Sequence, residues 1–197
     1  MKMHTALPVE QTLCSLPSAE ATLHNYQDLI VLFNATFMET EKTILVKGDH
    51  EPVYIPAKRS QYHQIVFAHG YFASALHEIA HWCIAGKQRR LLEDYGYWYN
   101  PDGRDNKQQI EFEKVEVKPQ AIEWAFSCMS GKHFTVSTDN LEGAAANTQI
   151  FQNTVKRQVN LYLELGFPPR AAEFMGVLQK FYQTNNLHQE MFDVESA

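Results

Sequence analysis

Between the His69-Gly70 turn and Gly86 the chain runs from Tyr71 to Ala85 with no proline or glycine, and that run contains His77-Glu78-Ile79-Ala80-His81. An uninterrupted run of this kind predicts a helix. In a helix, residues four apart stand one turn above each other, so the two imidazoles aim at a common point, as a transition-metal site requires. At about 100° per residue, Phe72, Leu76, Ile79 and Cys83 form one apolar stripe, and both histidines fall on nearly the opposite side. The small residues Gly70, Ala73, Ser74, Ala80 and Ala85 cluster around them, which leaves room for an ion, a third ligand and a substrate. Gly86 is placed to end the helix as a left-handed cap.

Strands are predicted at Thr43–Val46, Pro52–Ile55 and Gln64–Ala68, from their β-branched and apolar content and the turns between them. Helices are predicted within roughly Ser18 to Phe37, at Pro119–Met129 with Gly131 just beyond, at Thr148–Leu165 and at Pro169–Tyr182. The pattern is that of an α+β chain, a small sheet surrounded by helices with the metal motif on a central helix. Its expected organisation is a loose N-terminal leader over 1–22, one metal-binding catalytic domain over 23–183 and a C-terminal tail over 184–197.

With 45% hydrophobic and 20% charged residues, the chain can bury one sizeable core. Its net charge of −6, with Lys87-Gln88-Arg89-Arg90 as a local basic block, argues against a stable nucleic-acid partner. The longest apolar run, Leu29–Phe33, is far too short to span a membrane, and the N-terminus lacks a signal-peptide layout, so a soluble, cytoplasmic protein is expected. Cys14, Cys83 and Cys128 are too widely spaced for a thiolate zinc site and indicate no disulfide framework; Cys83 and Cys128 read as buried thiols.

Two imidazoles hold a divalent ion weakly, so a third ligand is required. Glu111, Glu113, Glu116 and Glu123 lie in one acidic stretch, and Glu113, Glu116, Gln120 and Glu123 share a face if that stretch is helical. Glu116, between Val115 and Val117, is the preferred ligand and Glu113 the next, with His63 and His69 as alternatives. His188-Gln189-Glu190 has the spacing of a β-helix oxygenase pair, but it lies in a polar stretch without a strand pattern.

Two chemistries fit such a ligand set. In a zinc hydrolase, peptidase or ribonuclease, Glu78 would be the catalytic base that takes the proton of a metal-bound water. In a non-haem iron oxygenase, two histidines and a carboxylate form a facial triad with open positions. A binding module with a structural metal fits less well, because the small-residue rim implies an open pocket.

Beyond the motif, Lys47-Gly48-Asp49-His50-Glu51-Pro52, Ile65–Gly70, Ala75–Lys87, Tyr95–Tyr99 with Pro101–Arg104, Val115–Ala121 and Asp139–Gly143 together resemble the bacterial elongation factor P hydroxylase family. The resemblance extends from about His24 to Tyr182. It implies an oxygenase, with Fe(II) as the metal and O2 as co-substrate, acting on the β-lysylated lysine of elongation factor P in the last step of its modification. It also implies a small mixed sheet with helices around it, similar to a metal-dependent endoribonuclease of rRNA maturation. Where that ribonuclease would carry a third histidine, six residues beyond His81, this chain has Lys87. A lysine-derived substrate suits an acidic pocket, for which Asp49, Glu51, Glu113 and Glu123 are candidates. Tyr97, Trp98 and Arg104, in the aromatic loop and the turn after it, are further candidates for substrate binding.

Overall fold

The computed structural model describes residues 24–57, 60–95, 106–138 and 145–193. Helix α1 (Tyr26–Phe37) begins where Asn25 accepts the Gln27 N–H at 2.9 Å, an N-cap, and it buries Leu29, Phe33 and Phe37 at four-residue spacing. Strands β1 (Thr43–Lys47), β2 (Val53–Ile55) and β3 (His63–Phe67) form one mixed sheet in the order β1-β3-β2, with β1 parallel and β2 antiparallel to the central β3. Asn34 of α1 accepts the Leu45 N–H at 2.8 Å and so ties helix to strand.

After β3 the chain reverses through two consecutive left-handed residues, His69 (φ 52°) and Gly70 (φ 77°). A Cβ on Gly70 would also stand 3.0 Å from the Tyr26 ring, so both conformation and space favour glycine there. Helix α2 (Phe72–Ile84) then packs Phe72, Leu76, Ile79 and Cys83 inward, with Ala75, Ala80 and Trp82 buried beside them. Ala80, expected at the open rim, is therefore a core residue.

The end of α2 departs from the sequence reading. Gly86 is not left-handed, and the cap residue is Ala85 in an extended conformation. The terminal carbonyls are satisfied from elsewhere: Arg170 Nη2 donates to the carbonyls of Trp82 (2.7 Å), Cys83 (3.1 Å) and Ala85 (2.7 Å). A cation at a helix C-terminus also matches the helix dipole. The same guanidinium lies over the Trp82 ring, 4.5 Å from its centroid.

Helix α3 (Asn106–Ser130) starts well before the predicted Pro119 and carries that proline inside it. Pro119 cannot donate to the Val115 carbonyl, yet the helix continues because its packing against α2, α4 and α5 outweighs one missing bond. Helices α4 (Ala145–Leu165) and α5 (Pro169–Tyr182) follow, separated by Gly166 at φ 94°. One core cluster joins α1, the sheet, α2, part of α3 and α5; a second joins Trp124 of α3 to Phe151, Val155 and Val159 of α4.

The described part of the stretch read as a tail, up to residue 193, is docked. Residues Gln189–Phe192 form a 3-10 turn, and Phe192 is fully buried with its ring 5.5 Å from that of Trp124. Cys83 is buried, whereas Cys128 is only half-buried. No described helix is long and apolar enough to cross a membrane.

Candidate metal centre

α2 and α3 lie side by side, and each contributes two functional groups. His77 and His81 leave α2 on its polar side with their Nε2 atoms 3.1 Å apart. From α3, the Glu116 carboxylate enters between them, with Oε1 3.1 Å from His81 Nε2 and Oε2 3.5 Å from His77 Nε2. The ligand atoms of these three residues all lie within 4.8 Å of one another. Two nitrogens at that spacing match neighbouring ligands each about 2.1 Å from one ion, so the donor set and its geometry fit a divalent transition metal.

Glu116 is only 3% exposed, and its carboxylate is held in place from behind. Gln120, one turn on, donates from Nε2 to Glu116 Oε2 (3.4 Å) and to the Ser137 carbonyl (2.7 Å), and its own oxygen accepts the Ser137 N–H (3.0 Å). Glu123 takes the other side of His77, with Oε2 2.8 Å from Nδ1. A carboxylate can only accept there, so Nδ1 of His77 carries a proton, and Nε2 is the nitrogen that faces Glu116 and His81 and is left to bind an ion once its own proton departs.

The electrostatics follow from that crowding. Burial alone would depress the His77 imidazole, but the Glu123 carboxylate, helped by Glu116, outweighs it and lifts the pKa to about 10. Burial would raise the Glu116 carboxyl, yet its hydrogen bond and charge interaction with His81, with His77 behind, bring it down to about 2. Burial pushes the Glu78 carboxyl above the usual carboxylate range, against the pull of both histidines. These are groups arranged to stay ionised or to exchange a proton for a cation.

The other expected positions divide. Glu113 accepts from Gln109 at 3.1 Å and Glu111 from Lys114 at 2.6 Å, so both are engaged away from the histidines. His63 Nδ1 accepts the Ala57 N–H, and His188 pairs with Glu190 at 2.8 Å; neither joins the group formed by His77, His81 and Glu116. Asp49 is exposed and bound to Lys47 at 2.8 Å, in the turn beside His69 and the start of α2. Neither Asp49 nor Glu51 lines the cleft that opens at His81, so the acidic pocket expected from them is not built there. Tyr97, Trp98 and Arg104 lie outside the described residues. Sequence reasoning did not assign Gln120 or Arg170 a role, and it counted Glu123 as a rival ligand rather than as a partner of His77. The i, i+4 spacing of Glu116 and Gln120 was the available signal for the first; for Arg170, 85 residues from Ala85, there was none.

A family model for elongation factor P hydroxylase matches residues 32–192. The chain is also 49% identical over 173 residues to the elongation factor P lysine hydroxylase of Haemophilus influenzae, an alignment that covers 87% of this chain and 97% of that relative. The matched span runs from inside α1 to the final 3-10 turn and takes in His77, His81, Glu116 and Glu123 together. With so much of its length shared, this chain belongs to the elongation factor P hydroxylase family.

Proposed function

We propose that this chain is a non-haem iron enzyme that uses O2 to hydroxylate the β-lysylated lysine of elongation factor P, the final step of that modification. The observation that carries the reading is the convergence of His77, His81 and Glu116 beside an open cleft in a chain of this family. Two neutral nitrogens and one carboxylate leave coordination positions free, which distinguishes a reactive centre from a closed structural one. The relative's name supports lysine as the side chain acted on. Because the acceptor is a translation factor, the working compartment is the cytoplasm.

His77, His81 and Glu116 would hold the ion. When bound, ferrous iron supplies the one-electron chemistry that lets O2 attack an unactivated C–H bond. Conversion of C–H to C–OH with one oxygen atom of O2 consumes two electrons and two protons from an external reductant and releases the second oxygen as water. Glu123 keeps the His77 ring in one tautomer and orientation, and Gln120 keeps the Glu116 carboxylate facing inward. Glu116, almost wholly buried, brings its charge to the centre without exposing it to solvent.

The deciding experiment incubates the protein with ferrous iron, a reductant, isotopically labelled O2 and β-lysylated elongation factor P, and reads the intact mass of the acceptor. The acceptor should gain one labelled oxygen atom, and His81→Ala should abolish the gain. An unmodified acceptor accompanied by cleavage of peptides or RNA would replace the hydroxylase reading with zinc-dependent hydrolysis through Glu78.

A further inference from the structure

A cleft of about 500 Å³ opens beside His81, between α2, β2 and the segment that follows α2; Tyr54 and Trp82 form part of its apolar wall, and Glu78, Arg89, Arg90 and Asp94 are its charged lining besides His81. Most of that charge is already spoken for. Arg89 is held by Asp94 through Nε and Nη2, both at 2.7 Å, and Arg90 by Glu41 at 2.7 Å. Glu78 differs: it is partly exposed, and among the described residues no hydrogen bond or salt bridge engages its carboxylate. Nor does an ion at the histidines need it. Glu116 and Glu123 together carry the two negative charges that balance a divalent cation, one directly and one through His77. Glu78 is surplus to that balance, and a carboxylate with no group in direct contact, in a partly desolvated cleft, gains from a cation that joins it.

We infer that Glu78 anchors the ammonium group of the lysine-derived acceptor, pairing with it in the cleft so that a neighbouring methylene is presented to the His77–His81–Glu116 group. The inference rests on the hydroxylase reading above and deepens it by naming what determines specificity. It also gives the residue a task in a reaction that has no water nucleophile for a general base to deprotonate. Tyr54 and Trp82 line the path that the aliphatic stem of such a side chain would follow.

Glu78→Gln keeps the shape and removes the charge. Binding is measured by calorimetry without oxygen, on metal-loaded protein, using β-lysylated elongation factor P and the same acceptor with its free amino groups acetylated; hydroxylation of both is then followed in air. Wild type should prefer the free amine about tenfold or more, the worth of one charged pair. Glu78→Gln should lose that preference to within about twofold, through a weaker Kd and a higher KM for the free amine, with metal content unchanged. Glu78→Asp, which keeps the charge on a shorter arm, should retain part of the preference. An undiminished preference in Glu78→Gln overturns the anchor while leaving the hydroxylase reading intact, and so does loss of the metal from that variant. Failure of wild type to hydroxylate either acceptor removes the hydroxylase reading and the anchor together.

Discussion

Glu123 Oε2 lies 2.8 Å from His77 Nδ1, on the side of the ring away from Glu116. The imidazole is thus gripped at one nitrogen by a carboxylate and offered at the other to an ion. A partner of this kind fixes ring orientation and raises ligand basicity without touching the metal. Glu123→Gln should therefore weaken metal affinity by about 10–100-fold without abolishing binding. Titration against a chromophoric chelator checks it, and an affinity equal to wild type would mean that the contact does not support the ligand.

His77→Ala, His81→Ala and Glu116→Ala should each lose stoichiometric metal, because each removes a donor. Glu113→Ala should retain it, since Glu113 is turned toward Gln109. Metal analysis after gel filtration separates the two outcomes. Equal retention in Glu116→Ala and Glu113→Ala would refute the assignment of Glu116.

Metal binding should release protons. The His77 pKa of about 10 means that a proton must leave the cluster when a cation enters at neutral pH. Affinity should then rise about tenfold per pH unit between roughly pH 6.5 and 9, and flatten as pH passes the His77 value. For the chelated protein the sign is opposite. A histidine pKa raised in the folded state stabilises fully below its unfolded value of about 6.5, and that stability is lost as pH climbs through about 10. Calorimetry in buffers of different ionisation enthalpy reads the proton release, and thermal melts of chelated protein read the loss.

Arg170 closes the end of α2, so Arg170→Met should leave the carbonyls of Trp82, Cys83 and Ala85 without their charged donor. A loss of about 2–3 kcal/mol in urea unfolding is expected from charged hydrogen bonds of this kind. Metal affinity should fall less than in Glu123→Gln, because the capped turn lies beyond His81.

Phe192 fills the second core cluster against Trp124. Phe192→Ala should cost about 3–5 kcal/mol, whereas a mobile tail would tolerate it. Equilibrium unfolding in denaturant distinguishes them.

How far the sequence could be read depended on where each element's buried residues obtained their burial. The strands and α2 were legible because their inward faces are apolar at regular spacing, as with Phe72, Leu76, Ile79 and Cys83. The first half of α3 was not, because its inward stripe is Phe112, Glu116 and Gln120, two polar residues of three, with Pro119 between the last two. Hydropathy sees such a segment as a solvated loop, when its polar side chains are buried for the sake of the site. The termination of α2 was misread for a related reason. Gly86 is a local signal, whereas Arg170 reaches the same carbonyls from another helix. Glu116 itself was accessible, since apolar neighbours on both sides suggested inward placement; the division of labour between it and Glu123 needed the third dimension.

Both imidazoles belong to α2 and both carboxylates to α3, so the spacing of the four groups is set by how those two helices rest on each other. That contact is made by residues with no chemistry of their own, such as Ile79 on α2 and Ile122 and Phe126 on α3, all fully buried in the same core cluster. A change of volume there alters the distance between the two pairs, and displacements of about 1 Å at a reacting centre can cost 10²-fold in rate. Such variants would lose stability and activity together, so the positions at which this enzyme can be silenced extend well beyond those that touch its ion or its substrate.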